Sequence, residues 1–111
     1  MKDMFHLKPE ALRAQLPGTN GERFVIGAER GELSVELYEP RLIDGQKPHS
    51  RDECYVVIAG SGVFIAGESR TDFKAGDFLF VAAGIEHRFV DFSADLSVWV
   101  IFYGPEGGGD V

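Results

Sequence analysis

Short apolar runs, each closed within a few residues by a turn signal, leave little room for long helices in this chain. The β-rich runs are Arg23 to Glu29, Glu32 to Glu39, Glu53 to Ala59, Val63 to Ala66, Phe78 to Val81, His87 to Phe92 and Leu96 to Tyr103. Between them stand Arg30-Gly31, Asp44-Gly45, Gly60-Ser61-Gly62, Gly67-Glu68-Ser69, Ala75-Gly76-Asp77 and Ala83-Gly84. Strands at this spacing predict an antiparallel all-β sandwich or barrel. One short helix is expected near the start: Pro9 suits a first helical position, Leu12 and Leu16 share a face, and Pro17-Gly18 ends it.

With 111 residues the chain has length for one domain. The reading divides it into a helix and lead-in over 1–22, a β domain over 23–103 and a loose, Gly-rich acidic tail over 104–111. Eighteen acids against eleven Lys and Arg give a net charge of −7, a poor match to polyanions, so neither nucleic acid nor a membrane is expected as partner. The single Cys54 excludes an intramolecular disulfide and a thiolate metal cluster. Residues 1–17 hold no apolar run of signal-peptide length, and no later stretch is long enough to span a bilayer, so a soluble cytoplasmic chain is expected.

Alternation within Glu32 to Glu39 separates Leu33, Val35 and Leu37 from Ser34, Glu36 and Tyr38, which reads as a strand with one solvated face. Phe78 to Val81 and Val98 to Tyr103 are apolar on both faces and need a second cover. The N-terminal helix is one source; a second copy of the chain is the simpler one, and a homodimer is expected.

Of the three histidines, His6 stands in an unremarkable terminal context. His49 precedes Glu53 by four residues, an even spacing that puts both on one face of an extended segment. His87 opens a separate strand after Ala83-Gly84. If the two strands lie beside or opposite each other, two imidazoles and a carboxylate converge, a donor set that suits a divalent transition ion and leaves positions open. Read blandly, the same residues are a loop histidine, an edge charge and a strand-end polar group.

The glycines add a pattern. Six residues separate Glu53 from Gly60, fifteen separate Gly60 from Gly76, and Gly76 is followed by Ala82, Gly84 and His87. This resembles the two-part signature of the cupin superfamily, with the short spacing of its small single-domain members, over Gln46 to Asp91. The resemblance implies a double-stranded β-helix, a jelly-roll barrel, with a metal at its mouth held by His49, Glu53 and His87. It implies a divalent transition metal (Fe, Mn, Ni or Zn) and an enzyme of dioxygenase, isomerase, decarboxylase or lyase type acting on a small organic acid. The alternative is a non-catalytic small-molecule binder with a weak or absent metal site. The sequence departs from the family pattern at Lys47, where a further histidine is usual, at Ala82 for a proline and at Asp91 for an asparagine.

Lys47 and Arg51 share parity with His49 and Glu53, so either would hold the charged group of an anionic ligand if the segment is extended. Tyr55 and Val57 share that parity and are candidate pocket walls, with Phe78, Phe80, Phe89 and Trp99 or Val100 as further candidates. Cys54 has the opposite parity and is expected to be a buried, inert thiol. Asp91 reads as a surface charge.

Overall fold

The computed structural model describes residues 3–109. Its elements are α1 (Pro9–Arg13), β1 (Phe24–Arg30), β2 (Leu33–Tyr38), β3 (Asp52–Ala59), β4 (Ser61–Ala66), β5 (Ser69–Lys74), β6 (Phe78–Val81), β7 (His87–Val90) and β8 (Ser97–Tyr103). Each expected β run contains a strand. β5 was not anticipated, because Ser69 to Lys74 is polar and buries Phe73 alone, leaving no alternation to read.

Strands β1-β2-β8-β3-β6 form one sheet in that order, and β5-β4-β7 form another. Every pairing is antiparallel. The fold is the expected jelly roll with one short helix, but the two sheets do not close into a continuous barrel: β1 and β6 remain edges of the larger, β5 and β7 of the smaller. No helix among the described residues is long and apolar enough to cross a membrane.

Directly opposed residues on neighbouring strands share a face. The register therefore aligns Tyr38–Val98–Val57, Glu36–Val100–Tyr55 and Ser34–Phe102–Glu53 as rows across the larger sheet. These rows look inward. The core is formed where Tyr55, Val57, Val98 and Val100 meet Phe64, Phe73 and Phe89 of the smaller sheet. Phe89 lies 5.0 to 5.3 Å, centroid to centroid, from Phe64, Tyr55 and Phe73, and its contacts with Tyr55 and Phe73 are edge-on, a favourable aromatic arrangement.

The polarity of β2 is the reverse of the sequence reading. Its polar side, Ser34, Glu36 and Tyr38, points inward, while Leu37 on the outer side is completely buried. The lead-in and α1 supply the cover there. A Cβ on Gly27 would stand 2.9 Å from Leu12 Cδ1 and 3.0 Å from Leu7 Cδ1, so the glycine lets these two side chains rest directly on β1. Arg13 Nε also donates to Glu39 Oε2 at 2.7 Å, tying the helix to the end of β2.

That cover stops short of β6. Phe80 pairs with Cys54 and Phe78 with Val56, on the face opposite Glu53. The two rings remain 50% and 63% exposed, and Trp99 shares their outer face, so none of the three is a wall of the interior as the sequence reading had allowed.

Candidate functional site

The site begins with the loop between β2 and β3, which a buried carboxylate fixes. Asp44 accepts hydrogen bonds from the Tyr38 hydroxyl, from Gln46 N at 3.2 Å and Gln46 Nε2 at 2.7 Å, and from the Phe89 amide of β7 at 2.7 Å. Gln46 Oε1 in turn accepts the Tyr55 hydroxyl at 2.8 Å. Burial and the adjacent Asp44 carboxylate both push the Tyr38 phenol up, so it stays a donor. Beyond this anchor the chain reaches His49, whose carbonyl accepts the Gly84 amide at 2.7 Å. Gly84 takes φ +80°, a left-handed conformation natural to glycine, and the turn it makes delivers His87 three residues later.

His87 on the smaller sheet and Glu53 on the larger face each other across the interior. His87 Nε2 lies 3.0 Å from Glu53 Oε1 and both side chains are 1% exposed. His49 Nε2 approaches the same oxygen at 3.9 Å from a half-exposed position, and its ring centroid is 5.5 Å from that of His87. One donor atom from each of the three residues lies within 4.8 Å of the others. Donors sharing one ion at about 2.1 Å stand no more than about 4.2 Å apart, so a bound ion would draw the three donors to within that distance.

The protonation chemistry is specific. The Ile85 carbonyl, 2.8 Å from His87 Nδ1, can only accept, which puts a proton on Nδ1 and turns Nε2 toward Glu53. Neither His87 Nε2 nor Glu53 Oε2 has a hydrogen-bond partner, although both are buried. His87 Nε2 and Glu53 Oε1, 3.0 Å apart, are lone-pair atoms that repel unless a proton or a cation lies with them. Burial disfavours the charged imidazole, but the Glu53 carboxylate, the Ile85 carbonyl and Asp44 outweigh it and raise the His87 pKa. Two imidazole nitrogens and one carboxylate fit a divalent transition ion, and the orphaned atoms give that fit its physical basis.

The remaining candidates fall in different places. The segment before β3 bends rather than running extended, and Lys47 is exposed, away from the cavity. Arg51 does line the cavity; its guanidinium donates to the Glu32 carbonyl and sits 5.6 Å from the centre of the Phe102 ring. Tyr55 is wholly buried beneath the site, with its hydroxyl committed to Gln46. Cys54 points to the outer face, where burial raises its pKa, as an inert thiol requires. Asp91 is exposed and lies 3.8 Å from Arg70. Within the Gly-rich tail, Gly107 N donates to Ser50 O at 2.6 Å and Gly109 N to Asp52 Oδ2 at 2.9 Å, and Glu106 reaches the cavity.

The cavity holds about 540 Å³ and opens between His49 and Glu53 and the wall made by β1 and β2. Its lining includes Glu29 and Glu36, two carboxylates the sequence reading did not single out. The available signal was the polar side of β2, assigned there to solvent. Burial raises the Glu36 pKa to about 7, and the nearby carboxylates of Glu53 and Glu29 add to this while Arg51 opposes it. A carboxyl that holds its proton more tightly folded than unfolded favours folding at low pH, and that stabilisation fades as pH climbs from 4.5 to about 7. Glu36→Gln is therefore expected to stabilise the protein by about 1–2 kcal/mol above pH 7, after discounting for solvent screening, and by almost nothing near pH 4. Urea unfolding at the two pH values checks this; an equal effect at both would remove the titration of Glu36 as the cause.

Residues 34–102 match the sequence profile of the cupin domain. The chain is 35% identical over 99 residues to an uncharacterised protein of Streptomyces coelicolor, a match covering 87% of this chain and 93% of that protein. Among solved structures it is similar to a Cupin 2 conserved barrel domain protein from Salinispora arenicola, with TM-score 0.68 and 17% identity over 94% of this chain and 90% of that one. It is also similar to a Ralstonia eutropha protein proposed to be a mannose-6-phosphate isomerase, with TM-score 0.63 and 23% identity over 92% and 100% of the two chains. At these identities the structural likenesses speak for the fold.

Proposed function

The chain belongs to the cupin family, and from that premise we propose that it is a metal-dependent enzyme acting on a small organic molecule held in the cavity. His49, Glu53 and His87 would hold one divalent transition ion, Fe, Mn, Ni or Zn. The single observation that carries the reading is the convergence of His49, Glu53 and His87, whose donor atoms lie within 4.8 Å of one another around a carboxylate with one buried oxygen unpartnered. A metal bound there would supply Lewis acidity to an oxygen of the bound molecule, as isomerase, lyase and decarboxylase chemistries need, and iron would add the redox chemistry a dioxygenase needs. Val100 and Phe102 give the cavity an apolar floor, and Glu36 offers a carboxyl able to hold or release a proton near neutrality.

A second reading, a binder without turnover, is favoured by Lys47, which stands where a further histidine ligand is usual. The anionic ligand expected from Lys47 and Arg51 keeps only Arg51 as support, since Lys47 lies outside the cavity. Elemental analysis of the purified protein is expected to give about one transition ion per chain. Chelation is expected to lower the melting temperature by about 10 °C, since binding at a hundredfold excess over Kd contributes about 2.7 kcal/mol to a domain this small. A metal-free chain whose melting point ignores added Fe, Mn, Ni and Zn would overturn the metal centre and leave only the binder.

The exposed outer face of β6 supports a second proposal, that two copies associate there. Phe78 and Phe80 lie on an edge strand beside Val56, Trp99, Ile101 and Tyr103, so one surface offers unpaired main-chain groups and apolar area together. Sedimentation equilibrium is expected to give a dimer, and the double variant Phe78→Glu, Phe80→Glu a folded monomer. A wild-type monomer at high concentration would end this proposal.

A further inference from the structure

We propose that the wall formed by β1 and β2 is the recognition end of the cavity, where Glu36 and Glu29 receive a positively charged group of the ligand, such as an ammonium, against the ring of Phe24. This inference deepens the reading of the cavity as a ligand site and rests on that reading, but not on the identity of the metal.

The register of β1 carries the argument. Phe24 pairs with Tyr38 and Ile26 with Glu36, so both look inward. Uninterrupted alternation would turn Glu29 outward. A bulge between Ile26 and Ala28 shifts the pairing by one residue, so that Glu29 pairs with Ser34 and joins the inward face. The distortion thus re-aims a carboxylate into the cavity beside Glu36.

Glu36 has little structural reason to be there. It makes no hydrogen bond or ion pair among the described residues, and the charges that act on it are the carboxylates of Glu53 and Glu29 and the guanidinium of Arg51. Arg51 is already engaged with the Glu32 carbonyl and the Phe102 ring. The cavity lining carries Glu29, Glu36, Glu53 and Glu106 against the single cation Arg51, with His49 at the triad end. A divalent ion on the triad would compensate Glu53 but leave the far wall negative. An anion entering this wall meets repulsion; a cation relieves it.

Two independent observations point to a ligand rather than to a bare acidic patch. Glu53, 1% exposed, lines the same cavity and carries an oxygen without a hydrogen-bond partner. The wall also presents half-exposed apolar side chains, Phe24 and Ile26, on the inner face, where a ring can pack against a cation and its carbon skeleton.

Three probes that share a phenethyl skeleton and differ in the charged or neutral head group test this at about pH 8, where Glu36 is ionised: phenethylammonium, 2-phenylethanol and 3-phenylpropionate, titrated at millimolar concentration into 15N-labelled protein treated with EDTA. Phenethylammonium is expected to bind about tenfold more tightly than phenylpropionate, shifting amides of β1 and β2. The double variant Glu29→Gln, Glu36→Gln is expected to remove that preference while leaving phenylethanol binding unchanged. Equal or tighter binding of the carboxylate probe, an unchanged preference in the variant, or no shift at the cavity with any probe would overturn the inference. Transition-metal content of untreated samples, with the melting point after adding Fe, Mn, Ni or Zn, separates the two readings. Protein that takes one of these metals but prefers the carboxylate refutes the cation subsite alone, and protein that takes none but prefers the ammonium refutes the metal centre alone.

Discussion

Replacing His87 with alanine is expected to leave the purified protein without stoichiometric metal and to reduce its affinity for added zinc by more than about a hundredfold. Outer partners of metal ligands already contribute tenfold to a hundredfold, and His87 would be a direct ligand: its Nε2 is 3.0 Å from Glu53 Oε1, with Nδ1 held by the Ile85 carbonyl. Without it, two donors remain, one of them the half-exposed His49. The metal-free variant should also be less stable, because Glu53 would be left 1% exposed without its closest cationic partner. His87→Gln, which retains a polar group in the space, guards against simple unfolding. It should fold, as judged by circular dichroism, and still bind no metal. A folded variant carrying one ion per chain would refute the role of His87.

The same residue gives metal-free and metal-loaded protein opposite responses to pH. His87 has a folded pKa raised above its ordinary 6.5, so in metal-free protein its contribution to stability is complete below 6.5 and is lost as pH rises through the folded value. Metal binding needs the lone pair on Nε2, so affinity grows over the same interval. Melting curves of the two forms should therefore diverge as pH increases, and parallel curves would mean that proton and metal do not compete for one nitrogen.

How much of this was legible in the sequence depended on whether a residue's role is set by its own strand or by a neighbour. The strand pattern, the turn glycines and the spacing of His49, Glu53 and His87 are local, and each strand grew from an expected run except β5, which lacks an apolar stripe. The facing of β2 was not local. Alternation separates two faces but does not say which one meets the core, and a short helix over Gly27 reversed the obvious assignment. Glu36 was missed for that reason. Glu29 was hidden by the bulge, a one-residue shift that parity counting in a single strand cannot reveal. Lys47 failed to reach the cavity because its segment bends, held by Asp44, Gln46 and the Gly84–His49 bond instead of by a ladder.

Asp44 should be the most sensitive residue outside the triad. Its two oxygens take four hydrogen bonds, from the Tyr38 hydroxyl, the amide and side chain of Gln46, and the Phe89 amide. These donors belong to β2, the loop leading to His49, and β7, so one carboxylate joins the two sheets where His49, Glu53 and His87 converge. Asp44→Ala would strand a buried amide on β7 and release the loop, and a loss of about 4 kcal/mol is expected, in line with breaking a buried charged network. Asp44→Asn is the more discriminating variant. An amide keeps the shape but sets an NH2 against donors, so about half that loss is expected. Because the ring of His87 also feels the Asp44 charge, the variant should weaken zinc binding by about tenfold. Denaturant unfolding and zinc titration on the same samples read the two effects separately. If Asp44→Asn lowered stability but left zinc affinity unchanged, Asp44 would be a brace between the sheets and nothing more; unchanged stability would show that the hydrogen-bond network does not hold the loop at all.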